Sequence, residues 1–259
     1  MTKTSWLVGL VALTLTGAAV VWWLRAERPA GGDSATTFLT LQTDTTDGRA
    51  IAAGAPVFLT LTVSGRGGAK PALLESSPDA WTAQVRFQTS DGTVLPWRVE
   101  QLGPPMLSDT GISRARFGVG PEAAAQISHG MHVIRAVLRI DRNQQIRSNP
   151  ATVMIGGQQA TSAQTERDVL RESARFHLEA SRFELAHPLA LRLVEAADAD
   201  ADAFILLGDA LNGLRRDAEA LAAYQEALAM VSEAGGKEPP DYLMFRMREV
   251  RTRAQGPPR

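Results

Sequence analysis

The chain has 259 residues, a formal net charge of −1 and 44% apolar residues, enough for one large domain or two ordinary ones. It holds no cysteine, which excludes disulfides, a thiolate nucleophile, a lipoprotein acylation site and cysteine-ligated zinc. The near-neutral charge gives no global reason to expect nucleic-acid binding, and the 24 arginines against 3 lysines are scattered, so they read as base composition.

The first predicted element is a membrane anchor within residues 1–28. Trp6–Leu24 runs without a charge; as a helix it would span about 28 Å, close to the hydrocarbon thickness of a bilayer. Trp6 at one end and Trp22 and Trp23 at the other sit where interfacial aromatics belong. A cleaved signal with a cut after Ser34 is the alternative, but the apolar run is long for one and Arg25–Pro29 makes a poor cleavage site. The flanking charges do not decide orientation. A short N-terminal tail before one long remainder implies a single-pass bacterial inner-membrane protein with its bulk in the periplasm.

Residues 29–35 (PAGGDSA, from Pro29) read as a flexible linker. From 36 to 156 the pattern is β. Val57, Leu59, Leu61 and Val63 alternate with Phe58, Thr60 and Thr62, and Val85 and Phe87 alternate with Arg86 and Gln88. Asp91-Gly92 predicts a tight turn into a strand over Thr93–Val99. Ile134, Ala136, Leu138 and Ile140 alternate with Arg135 and Arg139, and Phe38–Leu41, Arg114–Val119, Gln145–Arg147 and Ala151–Ile155 complete seven or eight short strands. That count, with no long helical pattern, predicts an antiparallel β-sandwich. The helical turn at Pro121–Ala125, then Gly130 and a strand, resembles the corner before the sixth strand of immunoglobulin-like domains. The resemblance would put His132 near the place often held by a tyrosine that bonds back to that corner.

Residues 157–164 form a second small, polar linker, and 165–254 read as helical, with 255–259 as a disordered tail. Leu207, Gly208 and Leu211 share one helical face and Ala220, Tyr224 and Ala227 the next, with small residues at Gly208, Ala220 and Ala227 for close helix approach and Phe204 among the larger ones that fill the gaps. This spacing resembles the tetratricopeptide repeat, a helix–turn–helix unit of about 34 residues. A degenerate unit beginning at 167 would place Ala174, Ala186 and Ala190 at small positions, His177 at an aromatic one and Pro188 near the start of its second helix. A last helix from Asp241 to about Arg253 would cap the stack, with Tyr242, Met244, Phe245 and Val250 available for packing.

The resemblance implies protein or peptide binding, not catalysis. Groove positions carried over from it are Asp202, Ile205, Asp209 and Asn212 in the better unit and Arg171, Arg175 and Leu178 in the first. The family's carboxylate-gripping Lys/Asn/Arg set is not matched, because Asp202 and Asp209 stand in its place. No cofactor or metal is expected. Asp198, Asp200, Asp202 and Asp209 mimic the spacing of a calcium loop, but Ala203 occupies the glycine position and the segment reads as helix, so these aspartates are expected to cap it. His129 and His132 lack an acidic partner nearby in sequence, and no nucleophile elbow or phosphate loop occurs. The expected fold is thus a transmembrane helix, an immunoglobulin-like sandwich and a repeat-like helical module. The expected function is a non-enzymatic, membrane-anchored adaptor. The alternatives are a self-associating subunit of an envelope assembly or secretion complex, and a carbohydrate- or peptidoglycan-binding sandwich using Trp81 and Trp97.

Overall fold

The computed structural model describes residues 37–44, 50–66, 71, 73–74, 80–156, 163–233 and 240–255. The anchor predicted at Trp6–Leu24, the linker at 29–35 and the last four residues lie outside them. No described helix is long and apolar enough to cross a membrane.

The first part is β. Strands β1 (Thr37–Thr43), β2 (Val57–Gly65), β5 (Ser113–Val119) and β4 (Val99–Leu107) form one antiparallel sheet in the order β1-β2-β5-β4. In the second sheet β3 (Val85–Thr89) flanks one side of β6 (Gly130–Arg139). β7 (Gln145–Arg147) and β8 (Ala151–Ile155) share the other side. The alternation in the strands explains the assembly: Leu41, Leu59, Leu61 and Phe117 point inward from the first sheet and meet Phe87, Ile134, Leu138 and Val153 from the second. Burying one face of each sheet removes both apolar stripes from water. Trp81, on a 3-10 turn (Trp81–Gln84), is fully enclosed, and its Nε1–H donates to Ser113 Oγ at 3.1 Å.

One strand expectation fails. Thr93–Val99 makes only an isolated bridge between Val94 and Gln88. The strand follows it instead, at Val99–Leu107, through Gly103-Pro104-Pro105, where the register with β5 shifts between Leu102 and Met106. Two prolines remove two ladder donors, which β4 tolerates because it is an edge strand with a bulge.

Between β7 and β8 the connecting residues bond to both sheets. Ser148 Oγ accepts from the Ala136 N–H at 2.9 Å. Asn149 turns toward β1: its Oδ1 accepts from the Leu41 N–H at 2.8 Å and its Nδ2 donates to the Leu41 carbonyl at 2.9 Å. Thr43 Oγ1 donates to the Thr152 carbonyl at 3.4 Å. Leu41 therefore lies beside 149 and Thr43 beside 152, so the Thr37 end of β1 lies at the β6–β7 hairpin.

After α1 (Pro121–Ala124), a single turn between β5 and β6, the remaining elements are helical: α2 (Ala163–Glu179), α3 (Phe183–Glu195), α4 (Ala201–Gly213), α5 (Asp217–Glu233) and α6 (Asp241–Gln255). The predicted linker at 157–164 therefore overlaps the start of α2, and the predicted tail begins on the last residue of α6. The two helix pairs repeat with a 34-residue offset. α3 and α5 start 34 residues apart, and so do Ser181 and Arg215, non-glycine residues with positive φ (55° and 62°) that reverse the chain between paired helices. The same closing bond recurs, Arg182 N–H to His177 carbonyl at 2.8 Å and Arg216 N–H to Leu211 carbonyl at 2.9 Å. Gly208 is needed where it stands: a Cβ there would lie 2.4 Å from Tyr224 Cε1.

Asp200 is the N-cap of α4, accepting from the Ala203 N–H at 3.0 Å. Pro188 is not at the start of its helix. It lies inside α3, which begins at Phe183, so it cannot donate to the Glu184 carbonyl. In α6 the buried residues are Leu243, Met247 and Val250, while Tyr242, Met244 and Phe245 are exposed, Phe245 by 64%. Of the four residues expected to pack, Val250 does so, and Leu243 and Met247 complete the stripe in place of the other three.

The helical part is fastened to the outer face of the first sheet. Phe176 of α2 is fully buried against Phe58 and Leu102, with the two phenylalanine rings 6.0 Å apart. Glycines at 118 and 120 leave room for it; a Cβ on Gly118 would lie 2.7 Å from its ring. Arg116 on β5 binds Asp44 at 2.5 Å and Glu179 at 3.0 Å, and Arg182 pairs with Glu100.

Candidate functional site: a groove lined by three helices

A concavity among the described residues has a volume of about 660 Å³, within the range of ligand pockets. One wall is α2 with Arg175, Leu178 and Glu179. The floor is α4, whose Asp202, Ile205, Leu206, Asp209, Asn212 and Gly213 recur on one face. The far wall is α6 with Tyr242, Arg246, Glu249 and Arg253. Ser181, Phe183 and Arg215, from the turns between paired helices, close one end. Phe183 fits there because Gly213 has no side chain; a Cβ would lie 2.2 Å from the ring.

Six of the seven positions carried over from the resemblance line this groove: Arg175, Leu178, Asp202, Ile205, Asp209 and Asn212. Arg171 does not. Its guanidinium binds Asp200 at 2.5 Å, beside Arg167, which holds Asp198. The carboxylates just before α4 draw both arginines away from the concave side. The α6 wall was missed, although Tyr242, Arg246, Glu249 and Arg253 fall at i, i+4, i+7 and i+11, the signature of one helical face. Treating α6 as a cap concealed that face.

Most polar groups in the groove are held internally. The Tyr224 hydroxyl donates to Asp209 Oδ1 at 2.6 Å, and Arg246 Nε lies 3.5 Å from the same carboxylate. Burial pushes the Asp209 carboxyl above the usual aspartate value, against the lowering effect of Tyr224 and Arg246. Burial and the Asp209 charge together raise the Tyr224 phenol, so it stays protonated as a donor. Arg253 spans Asp217, at 2.7 Å, and Asn212. Leu178 and Ile205 supply apolar surface. Among the charged groups Asp202 and Arg215 differ from the rest: neither side chain has a hydrogen-bond or ion-pair partner among the described residues. They stand near opposite ends of α4, about 20 Å apart at the helical rise.

Among the described residues no group of three His, Asp or Glu could hold a metal ion. His132 Nε2 donates to the Ser128 carbonyl at 2.7 Å, so it bonds back to the corner before β6, and its ring meets Trp97 edge-on at 5.0 Å. Trp81 is enclosed and Trp97 is half-buried against the core, which leaves neither indole free as a flat stacking platform. No family model matches the chain, and no curated protein does.

Proposed function

We propose that the chain is a membrane-anchored, non-enzymatic docking protein of the bacterial periplasm, with Trp6–Leu24 as anchor. The strand order β1-β2-β5-β4 opposite β3-β6-β7 supports an immunoglobulin-like sandwich, since it matches the ABED and CFG sheets of that fold. The 34-residue offset of the helix pairs supports a tetratricopeptide-like module.

The observation that carries the reading is the groove with two unengaged, oppositely charged ends. A span of about 20 Å accommodates roughly six extended residues. Asp202 would receive a basic or N-terminal group and Arg215 an acidic one, with Leu178 and Ile205 contacting the side chains between. The occupant is therefore an extended segment of a partner protein.

A photoreactive residue replacing Glu249 on the α6 wall tests this in intact membranes. The expected result is a discrete adduct that disappears when Asp202→Arg and Arg215→Glu reverse both ends. An adduct that survives the double reversal unchanged sinks the groove assignment. Exposed Met244 and Phe245 on α6 favour a second reading, a subunit of a larger assembly. A mass that rises with concentration supports it.

A further inference from the structure

The outward positions of the second sheet carry an arginine cluster. Val137 on β6 is flanked across the strands by Arg86 on β3 and Arg147 on β7, and along its own strand by Arg135 and Arg139. Val137 faces away from the core yet is only 6% exposed, covered by the aliphatic stems around it. Neighbouring side chains on such a face stand roughly 5–7 Å apart, so four guanidiniums are concentrated on one flat patch.

None of the four holds a carboxylate among the described residues. Arg139 Nε donates to a backbone carbonyl, that of Asp141, and Arg135 Nε is buried without a partner. In the helical part, by contrast, Arg167, Arg171, Arg216 and Arg253 all have carboxylate partners. The outward residues of β3, β6, β7 and β8 include no acid at all. Met131 and Met154, paired across β6 and β8 and both exposed, extend the same face with apolar surface.

We infer that this face is a docking surface for a bilayer rich in anionic lipid. Charge complementarity with headgroup phosphates is the first reason. The second is the path of the chain. Thr37 leaves the sheets at the β6–β7 hairpin, the end that carries Arg139 and Arg147. Twelve residues separate Leu24 from Thr37, a reach of at most about 45 Å. The inference rests on the anchor reading for the nearness of the bilayer, and on the arginines for the orientation of the sheets upon it.

The absence of native cysteine makes a single reporter possible. Full-length chain with Thr152→Cys, labelled with a fluorophore, is reconstituted into vesicles that carry a headgroup quencher. The vesicles are phosphatidylcholine alone or phosphatidylcholine with phosphatidylglycerol. The expected result is quenching in the anionic vesicles only, reversed by salt, and none from a Gln42→Cys reporter on the first sheet. Each arginine near an anionic surface contributes about fivefold. Arg86→Glu with Arg147→Glu therefore lowers the bound-to-free ratio by at least about 25-fold, while the two lysine substitutions retain most of it. Chain that stays in both vesicle types with equal quenching overturns the inference and leaves the anchor standing. Chain that leaves neutral vesicles but still binds anionic ones through Arg86 and Arg147 keeps the inference and removes the anchor. Arginine-dependent binding to duplex DNA without lipid dependence overturns it in favour of nucleic acid.

Discussion

Tyr224 organises the helical part through two small contacts, one steric and one polar. Its ring fills the space left by Gly208, so Gly208→Ala sets overpacking against the helix propensity that alanine gains. A Cβ at 2.4 Å has to displace a buried ring, at a cost of about 1–3 kcal/mol, while the propensity gain is about 1 kcal/mol. The expected net loss is about 1 kcal/mol, visible as a lower urea midpoint. A higher midpoint would show that the ring moves freely. The polar contact predicts a pH effect. The Asp209 carboxyl is raised above the ordinary 3.8, chiefly by burial, so the folded state binds its proton more tightly than the unfolded chain does. Stability therefore falls as pH rises from 3.8 through the folded value. Asp209→Asn keeps an acceptor for Tyr224 and removes that loss. The variant should gain in melting temperature relative to the parent at about pH 7 and match it at about pH 3. Equal differences at both values would refute the assignment.

Among the elements, α2 works on two sides at once. One side contributes Arg175 and Leu178 to the groove, and its C-terminal turn drives Phe176 between Phe58 and Leu102. Phe176→Ala should cost about 4 kcal/mol. It should also separate the unfolding signals of sheets and helices, which otherwise coincide. A single coincident transition with a loss under about 1 kcal/mol would show that the contact is incidental. The elements that were legible in the sequence are those with one dominant period. The apolar alternation over Val57–Val63 and over Ile134–Leu138 marks strands because each buries a single face. Helix α4 shows its cap and its small-residue face. β4 was not legible because Pro104 and Pro105 read as loop when only the neighbours of a strand decide whether its donors are needed. The groove wall on α6 was written in plain helical spacing but required knowing which side of α6 faces α4.

At the scale of the whole molecule, the connections that could not be read are those between residues distant in sequence. Nothing near Phe58 or Phe176 announces that they meet, and the pair Glu100–Arg182 looks like two ordinary surface charges. The arginines appear scattered along the chain because strands β3, β6 and β7 bring them together only when paired. The seam between sheets and helices also carries a titration. Burial, with the Arg182 charge second, holds His177 below the ordinary 6.5, while Glu100 and Glu122 oppose this. Its Nδ1 is buried without a partner. The unfolded chain takes up this proton first, so stability is present above 6.5 and is lost as pH falls through the folded value. His177→Phe should flatten the fall in melting temperature between neutral pH and about pH 5. An unchanged fall would place the acid sensitivity elsewhere.

An open strand edge invites pairing with another chain. In the first sheet both edges are closed by side chains rather than by further strands. Asn149 occupies the Leu41 donor and acceptor on β1, and Pro104 and Pro105 withdraw two donors from β4. Copies crowded side by side in two dimensions would thus meet edges unable to zip together. The same asparagine that seats β1 in its own molecule guards against fibre growth between molecules.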